Sequence, residues 1–140
     1  MRYVEIDGLR ASVIGLGTWQ FGSREWGYGD AYATDVAPAL IRRAFELGIT
    51  FIDTAEVYGF GRSERIVGAA LGDRPAGVIV ATKLLPILPL PAITEWRGRA
   101  SRTRLGVDAI DLYQLHSPNP IVPPRTTMRG MRRLLDDGVI

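Results

Sequence analysis

The chain of 140 residues contains no cysteine, one lysine and one histidine. The absence of cysteine excludes disulfides and thiolate metal ligands, and it is compatible with a reducing compartment. No apolar run reaches the roughly 18 residues that a membrane-spanning helix needs. The first ten residues, MRYVEIDGLR, alternate apolar and polar side chains and lack the apolar centre of an export signal. We therefore predict a cytoplasmic protein with no membrane partner.

Positive charge comes almost entirely from 16 arginines, and the net charge is +2 because 15 acidic residues oppose it. A nucleic-acid-binding protein concentrates positive charge on one face. One candidate cluster, Arg97, Arg99, Arg102 and Arg104, lies in a predicted helix, and we interpret it as a solvated helix face. We therefore expect a single globular domain and no nucleic-acid partner.

Alternating and continuous apolar runs predict the strands. Residues 2–14 alternate on both sides of Asp7-Gly8, which predicts a β-hairpin. The other predicted strands are a short run that ends at Gly17, and residues 49–53, 77–83 and 109–116. The run GVIVATK over residues 77–83 is typical of a strand that is buried on both faces.

Apolar residues at helical spacing predict the helices. The predicted N-caps are Thr34, Ser63, and Thr126 or Thr127. Residues 92–105 predict a further helix with a weak pattern, because Gly98 interrupts it. The apolar stripe of that helix is formed by Ile93, Trp96, Ala100 and Leu105.

The predicted order is a hairpin over 1–14, four βα units over 15–138, and the first residues of a fifth strand at 139–140. Alternating strands and helices indicate a parallel sheet with right-handed crossovers. Such a sheet is either open and doubly wound or part of a barrel.

Chemically active side chains occur at the same position on successive strands. They are Thr18-Trp19, Asp53, Lys83 and His116, at or just beyond the ends of four strands, with Tyr58 on the loop after the second. Active sites of parallel sheets lie at the carboxyl ends of the strands, and neighbouring strands are about 4.8 Å apart. We expect these side chains to converge in one pocket.

Their chemistry is complementary. A phenol is a poor acid at neutral pH, but the ammonium of Lys83 stabilises a nearby phenolate, here that of Tyr58. Asp53 would keep the lysine charged and oriented, and His116 would donate a hydrogen bond to a substrate carbonyl. Together they suit protonation of an oxygen that gains negative charge. That is half of a carbonyl reduction, and the hydride for the other half has to come from a cofactor.

Each of these residues alone has an ordinary structural interpretation, as a cap, a packed ring or a surface charge. Their coincidence at four strand ends favours a site. Gly15-Leu16-Gly17 lacks the third glycine and the following helix of a dinucleotide fingerprint, so we reject a Rossmann fold. No cluster of histidine and cysteine supports a metal site.

Several motifs together resemble the aldo-keto reductases. They are Gly15-Leu16-Gly17-Thr18-Trp19, the run from Asp53 to Gly59 followed by Ser63-Glu64, Ala81-Thr82-Lys83, Leu105-Gly106-Val107-Asp108, and the run from Asp111 to His116. The resemblance implies a (β/α)8 TIM barrel closed at its bottom by an N-terminal hairpin. It also implies NADPH as the cofactor and a small aldehyde or ketone as the substrate.

The resemblance further implies the role of each site residue. Asp53, Tyr58, Lys83 and His116 would form the catalytic tetrad, in which Tyr58 is the general acid. The nicotinamide end of the cofactor would contact Gly17, Thr18, Trp19 and Asp53. The substrate pocket would be lined by Trp19, Trp26 and Tyr58.

A complete barrel of this type needs about 250 residues, whereas this chain accounts for four βα units, which is a half barrel. One hypothesis is therefore a carbonyl reductase whose N-terminal half is completed by self-association or by a separate second half through open sheet edges. An alternative is a non-catalytic fragment or interaction remnant of such a reductase. A phosphate-binding (β/α) lyase or isomerase fits the sequence less well. The sequence has no phosphate loop, and this function does not explain why Tyr58 occurs with Lys83.

Overall fold

Two sheets organise the chain in the computed structural model, which describes residues 1–23, 29–72 and 75–140. The first is an antiparallel hairpin, and the second is a parallel sheet with the strand order β3-β4-β5-β6. The strands are β1 (Tyr3–Ile6), β2 (Leu9–Ser12), β3 (Gly15–Gly17), β4 (Phe51–Asp53), β5 (Ile79–Leu84) and β6 (Leu112–Leu115). The hairpin turns at Asp7-Gly8, where both residues have positive φ, as a tight hairpin turn requires.

A helix or helical turn follows each strand of the parallel sheet. The elements are α1 (Trp19–Gly22), a π-helical turn (Tyr32–Val36) that continues into α2 (Ala37–Glu46), α3 (Arg62–Leu71), α4 (Pro91–Leu105) and α5 (Pro124–Asp136). None of the helices in the described part of the chain is long and apolar enough to cross a membrane.

The two faces of the parallel sheet have different roles because side chains alternate along each strand. Ile52, Val80, Leu84 and Tyr113 belong to one buried cluster with apolar residues of the helices. Residues that alternate with them, such as Asp53 and Lys83, point to the opposite face. Burial of one face in the hydrophobic core therefore decides which residues of each strand point to the other face. The polar residues at the strand ends lie together on that other face.

The helix starts differ from the predicted N-caps. Thr34 lies inside the π-helical turn, so the helical segment begins before it. The N-cap of α3 is Gly61 at φ +80°, which places Ser63 inside the first turn. α5 begins at Pro124, whose ring fixes a helical φ. Thr127 is buried within that helix and donates a hydrogen bond to the Pro89 carbonyl oxygen, 3.2 Å away.

The predicted apolar stripe of α4 is correct in part, because Leu105 is buried and Ile93 and Ala100 are half-buried. Trp96 is exposed, and the buried residues of α4 are Thr94, Gly98, Ser101 and Leu105. A Cβ on Gly98 would lie 2.4 Å from Leu134 Cδ1 of α5. α4 therefore packs through small residues that allow a close approach of α5, and this is why its hydrophobic periodicity is weak.

The interpretation of the arginine cluster as a solvated face is wrong for two of its members. Arg97 pairs with Glu56 at 2.8 Å, and Arg104 pairs with Glu64 at 2.5 Å. Glu64 is fully buried and also accepts a hydrogen bond from the Thr82 hydroxyl at 2.7 Å. α4 is thus joined to the turn after β4 and to α3 by partly buried ion pairs as well as by packing.

Val139 and Ile140, where another strand is expected to start, do not form a strand. Val139 is fully buried, and its carbonyl oxygen accepts a hydrogen bond from the Ile110 amide at 3.0 Å. This contact joins the segment after α5 to the segment before β6.

Candidate active site

Parallel register brings the polar strand ends to one edge of the sheet. Gly17 of β3 is paired with Asp53 of β4, which is paired with Ala81 of β5. Lys83, two residues further along β5, is paired with Gln114 of β6, and His116 follows directly after that strand. The structure therefore brings Asp53, Lys83 and His116 to neighbouring strand ends, as the sequence predicts.

Lys83 is the centre of this arrangement. Its Nζ donates to Asp53 Oδ2 at 2.6 Å and to the Thr54 carbonyl oxygen at 2.8 Å, and it lies 3.5 Å from the Tyr58 hydroxyl. The side chains of Lys83 and Asp53 are 16% and 32% exposed. An ammonium has three donors, so the first two contacts fix its position and leave the third directed towards the phenol.

Tyr58 lies on a turn that packs tightly against α1. Its amide donates to the Ala55 carbonyl oxygen at 3.1 Å, and its own carbonyl oxygen accepts from the Ser63 amide at 3.2 Å. A Cβ on Gly22 would lie 2.3 Å from the Tyr58 carbonyl oxygen. Glycine at this position therefore permits the close approach of the two chain segments that places the phenol.

His116 contacts the edge of the phenol. The two ring centroids are 5.7 Å apart and the planes are inclined at 87°. The His116 amide donates to the Leu84 carbonyl oxygen at 3.0 Å, which continues the β5–β6 pairing. Its Nδ1 is buried without a hydrogen-bond partner among the described residues. One nitrogen of the ring that packs against Tyr58 is thus left without a partner in the described part of the chain.

Three buried hydroxyls lie behind these residues, and no pattern in the sequence predicted that they form a group. Ser63 Oγ lies 2.9 Å from Thr18 Oγ1 and 3.0 Å from Thr54 Oγ1, and it donates to the Thr18 carbonyl oxygen at 2.7 Å. All three side chains are fully buried. We call Thr18, Thr54 and Ser63 the hydroxyl cluster.

The hydroxyl cluster changes the interpretation of Thr18. Its hydroxyl lies 3.1 Å from the Asp53 carbonyl oxygen and so holds the ends of β3 and β4 together. Because the side chain is fully buried, it does not face the cleft where cofactor contact is expected. The adjacent residue, Trp19, is half exposed and does face it.

An open cleft of about 770 Å³ lies over the site, and its lining includes Trp19, Tyr58 and His116. No described residue lies within 4 Å of the position where a Cβ of Gly17 would be, and Gly17 is paired with the partly exposed Asp53. These features fit one end of a nicotinamide cofactor, since a flat ring and ribose hydroxyls need space and an acceptor. Trp26, which the resemblance places in the substrate pocket, lies outside the described residues.

In the described ranges, no group of three or more histidine, aspartate or glutamate side chains is placed to hold a metal ion.

On the opposite face of the sheet, Tyr113 lies near the Glu56–Arg97 and Glu64–Arg104 pairs. Burial, with the nearby Glu56 and Glu64 carboxylates, raises the pKa of Tyr113 well above its ordinary value of 10.0, although Arg97 and Arg104 act in the other direction. Its hydroxyl is buried without a partner among the described residues. Tyr113 is therefore uncharged at neutral pH, and it lies on the side of the sheet away from the cleft.

Comparison with known proteins agrees with this geometry. The model of the aldo/keto reductase family matches residues 13–140. An uncharacterized oxidoreductase of Mycobacterium tuberculosis is 57% identical over 141 residues, which is 100% of this chain and 44% of the relative. Aldo-keto reductase YhdN of Bacillus subtilis is 42% identical over 152 residues, 100% of this chain and 45% of that protein.

Solved structures give the same result for the fold. An aldo-keto reductase from Klebsiella pneumoniae in complex with NADPH superposes with a TM-score of 0.83 at 31% identity, covering 94% of this chain and 44% of that one. The chain thus spans less than half the length of these relatives. It belongs to the aldo/keto reductase family. The predicted fold class is confirmed, as a parallel sheet of the TIM-barrel type with four βα units.

Proposed function

We propose that this chain carries the proton-donating machinery of an oxidoreductase that reduces aldehydes and ketones to alcohols with NADPH. The observation that supports this best is the placement of Lys83 Nζ, 2.6 Å from Asp53 Oδ2 and 3.5 Å from the Tyr58 hydroxyl, below an open cleft. A mostly buried lysine that is paired with a carboxylate and directed at a phenol is energetically costly as a purely structural feature. It is useful where an oxygen gains negative charge.

In the proposed reaction, Tyr58 gives its hydroxyl proton to the carbonyl oxygen of the substrate. Lys83 donates a hydrogen bond to the phenol oxygen as its negative charge grows, and Asp53 keeps the ammonium in place. His116, whose ring lies against the phenol, donates a hydrogen bond to the same carbonyl oxygen and so orients it. The substrate carbonyl becomes a hydroxyl, and the proton is later replaced from solvent through the open cleft.

NADPH, when bound, would be the source of the hydride for the carbonyl carbon and would be oxidised to NADP⁺. Gly17, Asp53 and Trp19 are the residues that would hold its nicotinamide end. Gly17 and the partly exposed Asp53 are paired at the ends of β3 and β4, and Trp19, which follows β3, lines the cleft. Trp19 and Tyr58 would line the substrate pocket. Their aromatic surfaces suit the apolar part of a small carbonyl compound.

The first experiment is a fluorescence titration of the 140-residue chain with NADPH, with gel filtration of the same sample. β3 and β6 are the edges of the described parallel sheet, and exposed strand edges favour pairing with another chain. Saturable binding by a dimer, or by the chain mixed with a separate second half, supports a reductase completed by association. The absence of binding at millimolar NADPH favours the alternative, a non-catalytic fragment of a reductase.

A matched pair of variants tests the role of Tyr58. Tyr58→Phe removes the hydroxyl in the cleft, and Tyr32→Phe removes one hydroxyl outside it. We expect Tyr58→Phe to lower reductase turnover by at least about 100-fold and to leave NADPH affinity within about twofold. Tyr32→Phe is expected to leave both unchanged. Equal turnover in the two variants would contradict the proposed acid.

A further inference from the structure

Two arginines line the candidate cleft beside the tetrad. Arg62 and Arg65 belong to the first turns of α3 and share the cleft with Trp19, Tyr58 and His116. Residues three apart on a helix lie on the same side of it. The two guanidinium groups therefore face one volume, and their positive charges repel each other unless an anion is close.

The charge of this pair is incompletely neutralised by the protein. Arg62 NH2 lies 2.5 Å from Asp30 Oδ1, but the Asp30 side chain is 77% exposed, and exposed ion pairs are weak. Arg62 NH1 is buried without a hydrogen-bond partner in the described part of the chain. Arg65 is exposed, and its contact with the Phe60 carbonyl oxygen is long, at 3.5 Å.

The remaining lining of the cleft, as far as the structure describes it, contains no opposing charge. Among the residues that the structure describes, its other members are glycine, serine, valine, phenylalanine, tryptophan, tyrosine and histidine. A guanidinium with an unused, buried N–H beside a second guanidinium is suited to a carboxylate or phosphate, which accepts two or more charge-assisted hydrogen bonds.

Building on the proposed function, we propose that Arg62 and Arg65 form an anion subsite, so that the carbonyl substrates of this cleft carry a negatively charged group. The carbonyl end would lie at Tyr58 and His116, and the anionic end at the first turns of α3. Substrate class would then be set by charge at one end and by the aromatic lining at the other.

The test uses two probes that differ in one charge, 4-(hydroxymethyl)benzoate and its neutral methyl ester. Both are alcohols, the product class of the proposed reaction, so binding is measured without turnover. NMR titration of the 140-residue chain is expected to show the carboxylate bound about tenfold more tightly than the ester, the scale of one charge-assisted hydrogen bond. Equal affinities, or binding of neither probe, would overturn the subsite.

Variants then locate the preference. Arg65→Gln changes an exposed side chain, so it is expected to stay folded and to reduce the preference for the carboxylate to about twofold or less, whereas Arg65→Lys retains part of it. Arg129→Gln, an exposed arginine on α5, is the control for net charge and is expected to keep the full preference. A similar loss in Arg129→Gln would overturn the proposal.

A further arm separates the substrate from the cofactor as the source of the anion. The titration is repeated with saturating NADPH. A retained preference supports a substrate subsite, whereas a lost preference assigns the arginines to the cofactor phosphates and overturns it. If NADPH does not bind, the proposed reductase function is contradicted. The preference for the carboxylate over the ester, measured without NADPH, still tests the anion subsite.

Discussion

Gly22 and Gly59 lie so close together that neither has room for a side chain. A Cβ on Gly59 would be 2.2 Å from the Gly22 carbonyl oxygen, and Gly59 itself has φ +60°. This contact joins α1, which begins with Trp19, to the turn that carries Tyr58. This close backbone contact therefore fixes the positions of two walls of the candidate cleft relative to each other.

Gly22→Ala is expected to destabilise the chain and to displace Tyr58. The added Cβ would lie 2.3 Å from the Tyr58 carbonyl oxygen, and backbone cannot yield as a flexible side chain does. We expect the free energy of unfolding in urea to fall by about 3 kcal/mol. Gly29→Ala is the control, because none of the residues that the structure describes lies within 4 Å of its Cβ position. Equal stability of the two variants would contradict the close contact.

Asp53→Asn is expected to cost more stability than Lys83→Met. The first variant leaves an ammonium that is 16% exposed without its carboxylate, whereas the second leaves a carboxylate that is 32% exposed. Removing one partner of this mostly buried pair is expected to lower the free energy of unfolding by about 2 kcal/mol. This value lies between those of exposed and fully buried ion pairs. Asp136→Asn, which breaks the exposed Arg132–Asp136 pair, is expected to cost less than about 0.5 kcal/mol. Urea unfolding of all three checks the order.

Arg104→Met is expected to destabilise the chain by about 3 kcal/mol, because it leaves the fully buried Glu64 carboxylate without its cation. The double variant Glu64→Leu/Arg104→Met is expected to recover most of that loss, since no unpaired buried charge remains. Arg99→Met is the matched control, because Arg99 pairs with Asp137 at an exposed position. If Arg104→Met and Arg99→Met unfold at the same urea concentration, the buried pair does not contribute as described.

Tyr113 is expected to make the chain lose stability at alkaline pH. Burial and the neighbouring Glu56 and Glu64 carboxylates raise its pKa in the folded state above the ordinary value of 10.0. The unfolded chain therefore releases this proton first, and the stabilisation present below pH 10 is lost as the pH rises further. The loss is about 1.4 kcal/mol for each pH unit above 10.

Tyr113→Phe removes this titration together with a buried hydroxyl that has no partner among the described residues. We expect the variant to be at least as stable as the parent at pH 8 and clearly more stable at pH 11, measured by urea unfolding at both values. An unchanged difference between parent and variant at the two pH values would show that Tyr113 ionises normally in the folded chain.

The strand-end residues were predictable because their placement follows from topology. The carboxyl ends of parallel strands meet at one edge, so Asp53, Lys83 and His116 converge whatever the details of packing. The family motifs gave the same residues. The roles of these residues and of Tyr58 stay predictions until turnover is measured.

Other features depend on partners far apart in the sequence. Ser63 satisfies the local rule for an N-cap, but Gly61 begins the helix, and the Ser63 hydroxyl instead meets Thr18, 45 residues away. Arg104 looks like a surface residue until the position of Glu64, 40 residues away, is known. The buried face of α4 consists mostly of small residues. Its sequence therefore shows no clear hydrophobic periodicity from which the buried face could be predicted.

The hydroxyl cluster connects three separate chain segments by hydrogen bonds, so we expect them to move as one unit. Thr18, Thr54 and Ser63 belong to the end of β3, the end of β4 and the first turn of α3, and their mutual hydrogen bonds have no contact with solvent. These segments should open together or not at all, so their amides should exchange with solvent at one common rate. Trp19, Tyr58 and Arg62, each adjacent to this unit, then keep a fixed spacing while the cleft above them fills and empties.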